Sequence, residues 1–290
     1  MRNWYEIYFA KTRTQVMLPP APLRPYIKKY LIYENREGQR INQALRPLPN
    51  GYTEVFMHLK GSQICFPEKE VSLKLSCFIA GIYELNYPLK VKAYSPSPIF
   101  KGISITFTPR GVSRLLSTEV GELTNKIYKL DDLLGPSAGE LLEELETATS
   151  DNQRIKALNF FFQQRLNKSG HQDEEEIYHF TDILLSRNRP MSIDELAGHT
   201  NHSYKSLYRL FLHHMGLCPK MYLRIIRFNR ACSILNSHPG INWSELIHQC
   251  GYYDQSHFIK EFRAIMNESP HHFLSTTGGH FYLNRAYTFA

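Results

Sequence analysis

Two stretches of the chain line up groups able to recognise a nucleic acid at the spacing of one helix face. In "DQSHFIKEFR" (254–263) the apolar positions Phe258, Phe262 and, just beyond, Ile265 recur at three and four residues, which gathers them on one side of a helix. The other side then carries Gln255, Ser256, His257, Ile259, Lys260 and Arg263. Glutamine and lysine can hydrogen-bond to base edges or bind phosphate, and an exposed isoleucine can meet a thymine methyl. In "SYKSLYRLFL" (203–212) the outward set is Tyr204, Lys205, Ser206, Tyr208, Arg209 and Leu212. An aromatic beside two cations on a solvated face suits a polyanionic groove better than it suits water.

The same stripe is written twice. A shift of 51 residues lays Phe211 on Phe262, Met215 on Met266, Pro219 on Pro270 and Leu223 on Leu274. Leu207 then falls on Phe258, Arg209 on Lys260 and Tyr222 on Phe273, so the matched positions are mostly apolar and four apart. Upstream, "DELA" (194–197) matches "SELI" (244–247) at a shift of 50, so the turn between paired helices differs by one residue. Ser192 is placed to cap a first helix, Asn201 tolerates a left-handed turn, and Ser203 caps the next. Gly251 and Asp254 play the turn and cap in the second copy. Cys218-Pro219 and Ser269-Pro270 each open a further helix with proline in its first turn. Helix, tight turn, helix, stated twice, is the pattern of a paired helix-turn-helix. A helical repeat whose only purpose is stacking is the plainer alternative.

Residues ~190–275 closely resemble the DNA-binding domain of AraC/XylS-type transcriptional regulators. The likeness is carried by "GYYDQSHFIKEFR…SPHHF" with "RIIRFNRACSILN" before it. The resemblance implies two helix-turn-helix units joined by a long helix, here 219–236. It also implies two recognition helices in successive major-groove segments, roughly 34 Å apart. Carried over by position, the base-facing candidates are Lys205, Tyr208 and Arg209 in the first helix, and Gln255, Ser256, His257 and Lys260 in the second. The chain departs from the family at Ile247, usually a small alanine, which implies wider packing of the second unit. Asn201 replaces a common glycine, His202 occupies a usually apolar position, and Tyr252 replaces phenylalanine.

Charge supports a polyanionic partner. The 290-residue chain has a formal net charge of +7. From Arg187 onward eleven Lys+Arg face six Asp+Glu, and ten of the 13 histidines lie there too. No apolar run reaches the roughly 18–20 residues of a bilayer span, and "MRNWYEIYFA" is too short and polar for a signal peptide, so a cytoplasmic protein is expected. The five cysteines form no framework, which in such a chain points to reduced, buried thiols. Cys65 and Cys77 have reactive sensor thiols as their alternative reading.

The chain changes character near 168–176. Before it, "EVFMHLKG" (54–61) sets Val55, Met57 and Leu59 against Phe56, His58 and Lys60, and "GISITFTPRG" (102–111) sets Ile103, Ile105 and Phe107 against Ser104, Thr106 and Thr108. Period two predicts half-buried strands. "SAGELLEELETA" and "NQRIKALNFFFQQRL" follow as amphipathic helices. In the second, Ile155, Leu158, Phe161, Phe162 and Leu166 are either a dimer surface or the face packed on its own domain. The expected fold is α+β in two domains: residues 1–168 a β-rich sensor or dimerisation domain with a helical flank, 169–176 a linker, and 177–290 an all-α DNA-binding domain with core 190–275. The β-rich half loosely resembles the sensor half of bacterial members of the family, through "LPNGYTEVFMHLKG" and "GISITFTPRGVSRLL" among others.

The expectation is therefore a sequence-specific DNA-binding transcriptional regulator, not an enzyme, responding to an effector through its first domain. Its expected partners are double-stranded DNA and, as open alternatives, a small-molecule effector, RNA polymerase and a second copy of the chain as homodimer; no membrane is expected. The rival is a cupin-like enzyme acting on a small metabolite, with the helical part as a docking module. A metal-dependent cupin needs several inward histidines and a carboxylate, and "EVFMHLKG" offers one histidine. His199 and His202, like the pairs His213-His214 and His271-His272, lack a recognisable ligand pattern, so neither metal nor cofactor is expected. No phosphate loop, nucleophile elbow or HExxH occurs.

Overall fold

The computed structural model describes residues 12–35, 42–45, 50–59, 63–66, 73–75, 77–84, 91–94, 100–169, 184, 191–200, 202–238, 240–266 and 268–277. Contacts divide the chain into two compact units. The first comprises Met1–Pro47, Tyr52–Ile82 and Pro88–Asp173, and the second Leu48–Gly51, Tyr83–Tyr87 and Glu174–Ala290. The linker expected at 169–176 lies, apart from Ser169, outside the described residues.

The first unit is built on strands β1 (Thr12–Met17), β2 (Ile27–Asn35), β3 (Asn42–Leu45), β4 (Thr53–Leu59), β5 (Gln63–Phe66), β6 (Leu73–Leu75), β7 (Cys77–Ala80), β8 (Val91–Tyr94), β9 (Phe100–Phe107) and β10 (Ile127–Lys129). One antiparallel sheet runs β1-β2-β9-β4-β7-β10, and a second runs β3-β8-β5-β6. In the larger sheet Val55 pairs with Ile105 and Met57 with Ile103, while Glu54 pairs with Thr106 and His58 with Gly102. Because side chains alternate, that register sorts the central strands into an apolar face and a mixed one.

The apolar face, with Ile27, Tyr30, Ile32, Val55, Met57, Ile79, Ile103, Ile105 and Phe107, is fully buried. It packs on helix α2 (Asp151–Lys168), which follows α1 (Ser137–Thr147). The Phe107 and Phe162 rings meet edge to face at 5.4 Å, and Tyr30 Oη donates to Asn159 Oδ1 at 2.9 Å. Ser150 and Gln153 form a reciprocal capping box that starts α2. Ile155, Leu158 and Phe162 are thus core residues of their own unit. This settles the two readings of that helix face for these three residues, because a side chain spent on the core is not available to a partner.

The strands are not half-buried as alternation predicts. Glu54, His58, Ser104 and Thr106, which imitate a solvent face in the sequence, are buried as well. The difference has a visible cause at one pair: Thr106 Oγ1 donates to Glu54 Oε1 at 3.0 Å, so polar groups are satisfied inside the unit. Lys29 lies in the same row as this pair, and its ammonium is drawn down to about 8, chiefly by burial and against the opposing pull of Glu54. Burial also pushes the Cys77 thiol up to about 12, which keeps it protonated near neutrality and argues against a reactive sensor thiol there. The side chain of Cys65 is outside the described residues.

The "TPRG" corner closes this core. Thr108 Oγ1 donates to the Pro25 carbonyl at 2.7 Å and accepts from the Gly111 amide at 3.0 Å. A Cβ at Gly111 would stand 1.9 Å from the Tyr26 carbonyl oxygen, so only glycine lets the two backbones meet. Val112, Leu115 and Leu116 then turn into the core, as the helical period there predicts.

The regular elements described in the second unit are all helices: α3 (Ile193–Thr200), α4 (Tyr204–Met215), α5 (Pro219–Ser237), α6 (Trp243–Cys250), α7 (Gln255–Met266) and α8 (Pro270–Thr277). Among the described residues no helix is long and apolar enough to cross a membrane.

Candidate nucleic-acid interface

Each of the two repeated helices α4 and α7 is started by the residue its sequence nominates. Ser192 and Glu195 cap α3 reciprocally: Ser192 Oγ accepts from the Glu195 amide at 3.0 Å and Glu195 Oε2 from the Ser192 amide at 2.8 Å. Ser203 Oγ accepts from the Ser206 amide at 3.3 Å and starts α4. In the second copy, Asn242 caps α6, Gly251 stops it with φ 67° and ψ 33°, and Asp254 Oδ1 accepts from the His257 amide at 2.7 Å to start α7. Gly216, at φ 71°, ends α4 in the same left-handed conformation. Pro219 and Pro270 open α5 and α8. The connecting helix α5 runs 19 residues, roughly 28 Å at 1.5 Å per residue.

The stripes face inward as the spacing predicts. Leu207, Phe211 and Met215 are buried on α4, and Phe258, Phe262 and Ile265 on α7. The second core is a ring cluster: Phe258 meets Tyr252 at 5.0 Å and Trp243 at 5.8 Å, and Phe262 meets Phe228 of α5 at 5.7 Å and Phe273 of α8 at 5.8 Å. The first core has a simpler join, Phe211 to Tyr222 at 6.0 Å. Ile247, the departure from the family's small residue, is half-buried while its neighbour Leu246 fills the core.

With the stripes inside, Lys205, Tyr208 and Arg209 are exposed together on α4, and Gln255, Ser256 and Lys260 on α7. His257 differs. It is half-buried, its Nδ1 accepts from the Tyr253 amide at 3.4 Å, and its ring stands edge-on to Tyr252 at 5.5 Å. Since Asp254 receives the His257 amide in return, the pair brackets the turn much as a capping box does. Replacing His257 with alanine is expected to lower the melting free energy of this unit by about 1 kcal/mol while leaving sequence preference unchanged. Urea unfolding beside a DNA competition series checks this, and a changed preference at any base pair would assign His257 to readout instead.

Sequence reasoning passed over Glu261, which lies on the inward stripe with Phe258, Phe262 and Ile265 and is almost fully buried. Arg224 Nε of α5 donates to its Oε1 at 2.6 Å, and Arg227 Nε stands 3.5 Å from Oε2. The Arg227 guanidinium also lies 4.9 Å over the Tyr252 ring. Two cations from the connecting helix therefore fix the roll of α7 and so decide which of its side chains point outward. The signal was present: an acid on an apolar stripe, and arginines three apart on the connecting helix.

A family model described as a helix-turn-helix domain matches residues 196–276, and one described as a domain of unknown function (DUF6597) matches residues 15–129. The lactose operon transcription activator of Staphylococcus xylosus is 31% identical over 104 residues, 34% of this chain and 37% of that protein. The HTH-type transcriptional activator RhaS of Salmonella arizonae is 35% identical over 68 residues, 23% of this chain and 24% of that protein. The chain thus spans well under half the length of these relatives. The crystal structure of ToxT from Vibrio cholerae O395 aligns over 93% of this chain and all of its own, at 14% identity and a TM-score of 0.46. The two capped repeats, their inward stripes and the matches over that same stretch make the C-terminal domain of this chain a helix-turn-helix domain of the AraC type.

Proposed function

We propose that the protein is a sequence-specific DNA-binding transcription regulator. One observation carries the reading: the repeat puts a cation, Arg209 or Lys260, at the same exposed position of two separately capped helices. Around each cation lie the other base-facing residues, Lys205 and Tyr208 in one copy, Gln255 and Ser256 in the other. Phosphate contacts from the basic surface supply affinity, and these side chains supply sequence choice. The domain limits 1–168 and 177–290, joined by 169–176, belong to the same proposal.

The first unit is read as the effector domain. Its support is the mixed face of the larger sheet, on which Lys29, Glu54, His58, Ser104 and Thr106 are all buried and three of the five side chains are ionisable. A small polar effector that bound there better in one conformation than another would shift the DNA-competent population by that difference in affinity.

The test is binding of the full-length protein to DNA flanking its own gene against scrambled DNA, at 50 and 200 mM salt. Selective binding that weakens by about a thousandfold or more between the two salts is expected, the mark of six or more phosphate contacts. Equal binding to both DNAs would overturn the reading.

A further inference from the structure

The two repeated helices do not offer the same chemistry. Aligned by the repeat, Tyr204 stands where the second helix has Gln255, Tyr208 where it has Ile259, and Leu212 where it has Arg263. On α4 these three positions are four residues apart, hence on one line along the helix. All three are exposed, at 56%, 40% and 41%. The Tyr204 and Tyr208 rings neighbour each other at 6.5 Å. On α7 the corresponding line is polar or charged except at Ile259, which is half-buried.

Three large apolar side chains in a row on the solvent side of a 12-residue helix call for an occupant. Lys205 and Arg209 run directly beside the line, so the occupant is a polyanion that also carries apolar groups. In the major groove that combination exists at one place, the C5 methyl of thymine. The line covers about 12 Å of helix, close to the length of three or four base-pair steps.

Resting on the DNA-binding reading, we propose that α4 selects its half-site through thymine methyl groups, contacted by Tyr208 and Leu212, whereas α7 selects through hydrogen bonds from Gln255, Ser256 and Lys260. The target is then bipartite: thymine-methyl readout belongs to the half-site under α4, beside the contact of Arg209, and the half-site under α7 is read by hydrogen bonds alone. Tyr208 and Leu212 are specificity-determining residues of the first half alone.

Deoxyuridine tests this directly, because it differs from thymidine only by the missing methyl. A target is first selected from random duplexes with the full-length protein. Thymines are then replaced by deoxyuridine in one half-site at a time. The expected result is a loss of about fourfold per contacted methyl, the equivalent of about 0.8 kcal/mol, confined to one half-site. In a Tyr208→Ser, Leu212→Ser double variant the penalty disappears, and a cooperative thermal unfolding transition recorded on the same sample shows that the variant is folded. If binding remains selective yet deoxyuridine costs nothing in either half, the inference is overturned and the apolar line belongs to a protein partner. A penalty that survives the double variant but vanishes in Ile259→Ser also overturns it, by assigning the methyls to α7. Failure of the parent protein to select any sequence would instead sink the DNA-binding reading itself.

Discussion

Arg209→Ala is expected to weaken binding to the target sequence by roughly five- to 150-fold, with Lys260→Ala costing less and the double variant costing about the product. The first figure corresponds to about 1–3 kcal/mol for a bidentate contact between a guanidinium and the O6 and N7 of guanine. The inequality follows from chemistry. Arginine offers a planar fork that matches two acceptors at once, whereas lysine is a single hydrated charge on a flexible stem. Multiplicative losses follow because the two residues sit on separate helices with separate caps and share no partner. Competition binding against single-base variants of the target gives the decisive reading. If Arg209→Ala relaxes preference at one base pair, the contact is to a base edge. If it weakens every sequence alike and lowers the slope of log affinity against log salt by about one, the contact is to phosphate. Equal losses from the two single variants would contradict the inequality and put both contacts on the backbone.

The second unit was legible in the sequence because its boundary signals are local. Ser192, Ser203, Gly251, Asp254 and the two prolines act on amides and torsions within a few residues, so reading them needs no knowledge of the tertiary fold. Apolar stripes are legible for a related reason: helical spacing alone decides that Phe258 and Phe262 share a face. What the sequence hid depends on residues far apart in the chain. Glu261 looks like one more solvated acid until Arg224 and Arg227, 37 and 34 positions earlier, are brought to it. Alternation in β4 and β9 predicts one wet face because His58, Ser104 and Thr106 are polar. That inference fails when Thr106 reaches across 52 positions to satisfy Glu54. His257 belongs to both classes. Its cap bond is local, but the ring's lean on Tyr252 turns a side chain of recognition type back toward the turn.

Phe262→Ala is expected to destabilise the C-terminal domain by about 3–5 kcal/mol, the largest stability effect of any single substitution considered for it. Phe262 has no solvent exposure and joins three helices, touching Phe258 on its own helix, Phe228 on α5 and Phe273 on α8. Truncation removes the transferred surface, leaves a cavity walled by three rings, and forfeits edge-to-face contacts worth about 0.5–1.5 kcal/mol each. The repeat supplies an internal control. Phe211 is the equivalent residue of the first unit, buried too, with Tyr222 as its ring neighbour across to α5. Phe211→Ala is therefore expected to cost less than Phe262→Ala. Phe262→Leu, which keeps much of the volume, should cost less than either. Denaturant unfolding of the three variants ranks them, with a midpoint drop for Phe262→Ala of more than about 10 °C in a thermal scan. The ranking bears on function because α7 is held to α5 by this ring and by the ion pairs of the adjacent Glu261. Loosening either lets Gln255, Ser256 and Lys260 rotate away from a common face, so Phe262→Ala should lose sequence selection at temperatures where it is still folded. A variant that kept full selectivity and lost under 1 kcal/mol would mean that the ring cluster does not hold α7 in place.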